Sequence, residues 1–299
     1  MQQSAPQGPQ DTYERVNMKT RLTIVLLALL CVQAFAQGDG DAARFKASYE
    51  RQVRNVGPAG VGVETIINKW EAAAPQDPDM FAARFNWFFA KSKGTEVVQK
   101  EGRKYLGAEP MLSLKDSLGR DVNYFEVPTF AEPLYADGMR AIDKAIELRP
   151  AEMRYRFYKI TALLEYEGES PDLASQELMS MIDKYASSKG KGWTLDGNPS
   201  DEEVFCQAVG EYCYSFFHLG TEHGYEYFRK VSERMNKLYP RNTVFIDNIG
   251  AYWQVARNNS GKAMKYYKKA LKIDPDDYVA KKNISIIQLS QSKKGRSSK

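Results

Sequence analysis

Apolar positions recur along most of this chain at a helical period, with polar faces between them. In "GKAMKYYKKALKIDPDD" (Gly261 to Asp277), Ala263, Tyr267 and Ala270 are spaced four and three apart, so they share one helical face. Pro275 ends the pattern five residues after the second alanine, where a missing N–H does no harm. Small residues on a buried face let a second helix approach closely, and the ring fills the space beside them. The partner lies just upstream. In "NTVFIDNIGAYWQVARNNS", Ile246, Ile249, Gly250 and Trp253 recur at helical spacing, and "RNNSG" supplies a turn. Residues 241–275 therefore predict two antiparallel helices.

The same two patterns return more loosely elsewhere. "DGMRAIDKAIELRP" carries Gly138, Ile142, Ala145 and Pro150 as a second helix. Phe157, Ile160, Thr161 and Leu164 mark the next first helix, and Ala174, Leu178 and Met181 its partner. Cys206, Val209, Gly210 and Cys213 mark another first helix, followed by Gly224, Phe228 and Val231. Near the N-terminus, Ile67, Trp70 and Pro75 fit a second helix, and "PDMFAARFNWFFAKS" reads as a further first helix.

Eight positions of residues 241–275 resemble a tetratricopeptide repeat: Ile246, Ile249, Gly250, Trp253, then Ala263, Tyr267, Ala270 and Pro275. One extra residue lies in the turn between Gly250 and Ala263. The resemblance covers most of residues 41–290 and is specific only in this last repeat. It implies an all-α fold, an α-solenoid of about four antiparallel helix pairs, closed by a polar-faced capping helix over 277–291.

Two segments break the helical period. Between Lys93 and Pro133, Leu112 and Leu114 alternate on one side of "DSLGR" and Val122 and Tyr124 on the other. That predicts a β-hairpin bent at Gly119, inserted over about 94–132 between the two helices of one repeat. Residues 187–200, "SSKGKGWTLDGNPS", predict a Gly-rich loop that holds Trp193.

The first residues add a compartment. Lys19 and Arg21 precede the short apolar run "LTIVLLALLC", and "AFA" follows at Ala34 to Ala36. This is the layout of an export signal over 18–36, cleaved after Ala36. Residues 1–17 are polar, a disordered lead or an over-extended start ahead of Met18. The expectation is an exported chain, periplasmic or extracellular, with a solenoid over 37–290 and no stable membrane span once mature. Were the source eukaryotic, Asn258 and Asn283, each followed by x–Ser, would be glycan acceptors.

Net charge is +4, but Lys293, Lys294, Arg296 and Lys299 crowd into a basic tail over 291–299, expected to be disordered. The remainder is close to neutral and makes no case for nucleic acid. Cys206 and Cys213 sit about 10 Å apart along one helix face, beyond disulfide reach within that helix, and read as core. His218 and His223 are the only histidines. No HExxH, paired CxxC, GxSxG or Gly-rich phosphate loop occurs, so no catalytic residue, metal or cofactor is assigned.

What remains is the surface that stacked first helices make. The resemblance implies binding of a protein or peptide segment in the groove, through Tyr155, Tyr158 and Glu165, then Gln207, Glu211 and Tyr214, then Asp247 and Gln254. The paired Lys and Asn that clamp a terminal carboxylate in some family members are not reproduced. Two alternatives stand beside this non-catalytic reading. One is a small-ligand or glycan binder using Trp193, and the other a hydrolase-type enzyme sited at the insertion or the Trp193 loop.

Overall fold

Helices in this protein start on side chains suited to the task. The carboxylate of Asp77 accepts from the N–H of Asp79, Asp201 from Val204, Thr221 from Gly224, Asn242 from Val244, Asn259 from Lys262 and Asp277 from Ala280. Each bond satisfies an N–H that the first helical turn leaves without a partner. Pro78 presets the backbone of one helix at its first position.

The computed structural model describes residues 40–297. The helices are α1 (Gly40–Val56), α2 (Val63–Ala73), α3 (Pro78–Ser92), α4 (Glu132–Leu148), α5 (Met153–Glu167), α6 (Asp172–Ser188), α7 (Glu202–His218), α8 (Glu222–Leu238), α9 (Thr243–Val255), α10 (Ser260–Ile273) and α11 (Tyr278–Ser297). They pack as consecutive pairs α1–α2, α3–α4, α5–α6, α7–α8 and α9–α10, with α11 laid on α10. The architecture is the expected solenoid of helix pairs, with five pairs among the described residues instead of about four. The expected lead, export signal and cleavage site lie outside the described residues. The capping helix runs on to Ser297, past the boundary expected at 291.

The apolar stripes meet between the helices. Trp70, Tyr155, Phe205, Phe216, Phe245 and Tyr267 are all fully buried, each contributing about 1.5–3 kcal/mol in apolar burial. The small-residue expectation holds at α9–α10. A Cβ on Gly250 would sit 2.7 Å from Cε1 of Tyr267, so the ring occupies the space the glycine vacates.

The insertion holds more sheet than the sequence predicted. Strands β1 (Lys93–Lys100), β2 (Leu112–Lys115) and β3 (Asp121–Phe130) form an antiparallel sheet in the order β1-β3-β2. The predicted hairpin is β2–β3, with Leu112 opposite Tyr124 and Leu114 opposite Val122. Its bend is held by Asp116, whose carboxylate accepts from the N–H groups of Leu118 and Arg120, and by Gly119 at φ 76°. Strand β1 was not legible because Val97 and Val98 stand side by side in "KGTEVVQK", so no apolar alternation marks it. At the base of the insertion, the Ala131 N–H donates to the Ser92 carbonyl at 2.8 Å. This pinches the chain so that α3 and α4 still pack side by side.

The predicted Trp193 loop is also more ordered than expected. β4 (Thr194–Leu195) and β5 (Asn198–Pro199) pair across Asp196 and Gly197, at φ 53° and 76°. Positive φ at both central residues is the two-residue hairpin geometry.

Candidate functional site

A cleft of about 400 Å³ opens between the first helices α7 and α9. On α7, Glu203, Gln207, Gly210, Glu211 and Tyr214 follow at steps of four, three, one and three, which keeps them on one face. From α9 come Val244, Asn248 and Ala251, with Asn242 at the helix cap. Cys206, Phe217 and Phe228 form an apolar floor. A glycine at 210 keeps the α7 wall low, with Val244 across the gap.

Three of the eight residues expected to bind a partner, Gln207, Glu211 and Tyr214, thus meet in one place. The other five do not join them. Tyr155 is fully buried, and its hydroxyl donates to Asp79. Asp247 is 3% exposed. Both are corrections, since neither side chain reaches a groove. Asp79 of α3 covers Tyr155, and Asp277, the cap of α11, covers Asp247. Tyr158 stacks on Phe85 with ring centroids 6.1 Å apart. Glu165 pairs with Lys93 of β1 at 2.6 Å, tying the solenoid to the inserted sheet. Gln254 accepts from the Tyr267 hydroxyl at 2.7 Å, inside its own helix pair.

Asn248 was missed. The residue is 8% exposed and it lines the cleft. The signal was an asparagine in the otherwise apolar run "FIDNIGAYW", beside the aspartate that was chosen instead. One residue on a helix turns the side chain by about 100°, which separates a cleft wall from a sealed junction.

That junction joins Asp247 to Asp277, the residue that caps α11. Asp277 lies close enough to act on the Asp247 carboxyl, whose Oδ1 is buried without a hydrogen-bond partner. Burial first, and then the Asp277 charge, push the Asp247 carboxyl up to about 8. Asp247 therefore holds its proton at neutral pH.

Upstream, an ionic cluster crosses the first helices α1, α3 and α5. Asp79 accepts from Lys46 at 2.7 Å and from Arg154, and Arg154 approaches Asp196 at 3.2 Å. Burial pushes the Asp79 carboxyl up, but Arg154 and Lys46 outweigh it and hold it at about 2. Beside this cluster, Glu152 accepts from the Thr194 hydroxyl and the N–H groups of Asp196 and Gly197, each at 2.9 Å. Those bonds fasten the β4–β5 turn.

Trp193 is pinned within this loop. It is 6% exposed, its Nε1 donates to Ser188 at 2.9 Å, and its ring packs on Tyr185. A stacking platform needs an open ring face, so the expectation of a ligand or sugar on Trp193 is corrected. Both cysteines are core, as expected. Burial pushes the Cys206 and Cys213 thiols up to about 12, which leaves neither as a thiolate nucleophile at neutral pH. His218 lies against the ring of Tyr214 and under Gly107 of the insertion. Among the described residues no helix is long and apolar enough to cross a membrane.

No family model and no curated protein matches the sequence. Solved structures do match. MamA 41-end from Desulfovibrio magneticus RS-1 is 14% identical with TM-score 0.37, over 81% of this chain and 99% of that one. A MamA RS-1 double mutant gives 14% identity and TM-score 0.38 over the same shares. The P58(IPK) TPR domain is 11% identical with TM-score 0.29, over 85% of this chain and 67% of that one.

Proposed function

We propose that this protein is an exported, non-catalytic interaction or scaffolding module that holds a segment of a partner protein against its first helices. The observation that carries the reading is the α7–α9 cleft. Its walls are rigid helices, its floor is apolar, and its rim offers the amides of Gln207 and Asn248 and the ring of Tyr214. A mixed apolar and amide surface with an aromatic ring suits recognition of a chain segment, because rings give area at low entropy cost. Stacked helix pairs present such surfaces in extended form. The basic start, short apolar run and "AFA" of the first 36 residues support export.

Site-specific photocrosslinking tests the binding reading. A photoreactive residue at Gln207 is expected to capture a defined partner in the native envelope. The same group at the exposed Lys230 of α8 serves as a control on the second-helix side. A partner captured equally from both positions, or from neither, removes the cleft as the docking site. Export is tested separately by sequencing the N-terminus of the protein from envelope fractions. A chain that starts at Gln37 is expected, and an uncleaved chain in the cytosol refutes it.

A further inference from the structure

We propose that two copies of this chain pair antiparallel along β1, joining their inserted three-stranded sheets into one continuous sheet with Val98 at the two-fold axis. The pairing holds or fails independently of what the α7–α9 cleft binds.

β1 is an open edge. It stands at the end of the order β1-β3-β2, and six of its eight residues are exposed. Among the described residues no strand pairs with its other side. Such an edge presents a row of N–H and C=O groups, and folds blunt it with shortness, proline, bulges or charge. The opposite edge of this sheet is blunted. β2 has four residues and ends on Lys115. It begins at a bulge, where Met111 and Leu112 both face Tyr124 and the Met111 N–H donates to the Tyr124 carbonyl at 2.8 Å. β1 lacks these devices between its ends. It pairs residue for residue with β3 from Lys93 to Lys100, holds no proline, and carries Thr95, Val97 and Val98 in its middle.

Alternation fixes which groups face outward, because bonded and non-bonded pairs take turns along an antiparallel ladder. The Ala131 N–H donates to Ser92, so Gly94, Glu96, Val98 and Lys100 turn their backbone groups to β3. Thr95, Val97 and Gln99 turn theirs outward. Tyr124 agrees, since it lies opposite Gln99 and turns its carbonyl to the β2 side. Two copies can bond only in registers that set outward residues opposite outward residues. An axis at Glu96 sets that acid against itself, and an axis at Val97 sets it against Val98. An axis at Val98 sets Glu96 against Lys100 of the second copy, and does so twice. Opposite charges face to face stabilise a pair of strands, and like charges destabilise it. Lys100 already reaches Glu169 at 3.2 Å. Its ammonium has three N–H donors, so an incoming Glu96 adds to that contact. In the same register the two Val98 side chains meet at the axis. The strand therefore complements itself, which selects a second copy over an unrelated strand.

One added strand pair is a small interface, so the dimer should be reversible and concentration-dependent. Sedimentation velocity of the purified protein should show a dimer fraction that rises with concentration. Val97→Pro removes an outward N–H and leaves the ladder to β3 intact. It should be monomeric, with unchanged circular dichroism. Glu96→Lys should weaken dimerisation about tenfold or more. The register is read by disulfide trapping, since facing non-bonded residues have Cα atoms about 4.5 Å apart. The native Cys206 and Cys213 are buried. Val98→Cys should cross-link to its own second copy under mild oxidation. Glu96→Cys and Lys100→Cys should each fail alone, because like positions then lie about 14 Å apart along the strands, and should cross-link when mixed.

A protein that stays monomeric up to its solubility limit overturns the proposal. So does a dimer that survives Val97→Pro and yields none of these cross-links, since its interface lies elsewhere. Self-cross-linking by Val97→Cys in place of Val98→Cys would overturn the Glu96–Lys100 register. A monomer whose β1 edge captures extended peptides from a display library, and loses them with Val97→Pro, would assign the edge to a different partner and overturn the second copy.

Discussion

Replacing Asp247 by asparagine should stabilise the protein, and by an amount that grows with pH. A carboxyl whose folded pKa is raised keeps its proton in the fold at pH values where the unfolded chain has already lost it. The fold is favoured below the unfolded value of 3.8 and loses that advantage as pH rises toward about 8. Each pH unit in that window costs about 1.4 kcal/mol, so about 4 kcal/mol is lost between pH 5 and pH 8. Asparagine cannot ionise and so brings no charge toward Asp277. Asp247→Asn should therefore match the wild type closely below about pH 4, and its advantage should grow by about 4 kcal/mol between pH 5 and pH 8. Urea denaturation by circular dichroism at pH 5, 6.5 and 8 reads the global part. Stacked repeats can open locally, so hydrogen exchange of the α11 amides reads the part confined to the cap. A difference between variant and wild type that stays constant from pH 5 to 8 in both measurements would refute the reasoning, since it would mean that Asp247 is already ionised in the fold.

Asp79→Asn should act in the opposite sense. Its carboxyl is held at about 2 against 3.8 when unfolded, so about 2 kcal/mol is present at pH 7 and fades as pH falls through that interval. Equal urea midpoints for variant and wild type at pH 7 would show that the Lys46–Asp79–Arg154 cluster adds nothing. Gly250→Ala drives a Cβ into the Tyr267 ring and should cost about 1–3 kcal/mol, read as a lower melting temperature; no change would mean that the α9–α10 contact is looser than described. Native alkylation with iodoacetamide at pH 8, followed by peptide mass spectrometry, should leave Cys206 and Cys213 unmodified and label both only after denaturation. Native labelling of Cys213 would contradict its burial.

The helices were legible because each one must bury a stripe, and the stripe is written every three to four residues. Ala263, Tyr267 and Ala270 named their face, and Gly250 named the close approach opposite it. The insertion was half legible for the same reason. Leu112 and Leu114 alternate with polar neighbours, as do Val122 and Tyr124, whereas β1 carries Val97 and Val98 side by side and leaves no periodic mark. The site was less legible, because helical spacing fixes which direction a residue points but not what lies there. Tyr155 and Asp247 sit on first helices as expected. What the spacing could not say is that Asp79 waits above one and Asp277 above the other. Those contacts join residues 76 and 30 positions apart, and no local pattern carries them.

The same long-range contacts close parts of the first-helix face among the described residues. At the N-terminal end, α1, α3 and α5 are bridged by Lys46, Asp79 and Arg154, and the β4–β5 turn brings Asp196 onto the bridge. Glu165 is drawn away to the inserted sheet by Lys93. At the C-terminal end, the fifth residue after the cap of α9 is Asp247, and it is sealed by the cap of α11. The corresponding residue of α7 is Cys206, which meets Asn242, the cap of α9. A thiol against an amide closes that junction's base without reaching its rim, and Gly210 adds no side chain above it. The cleft therefore lies where α7 places a small thiol at the position that holds the acid Asp247 on α9 and the ring of Phe157 on α5.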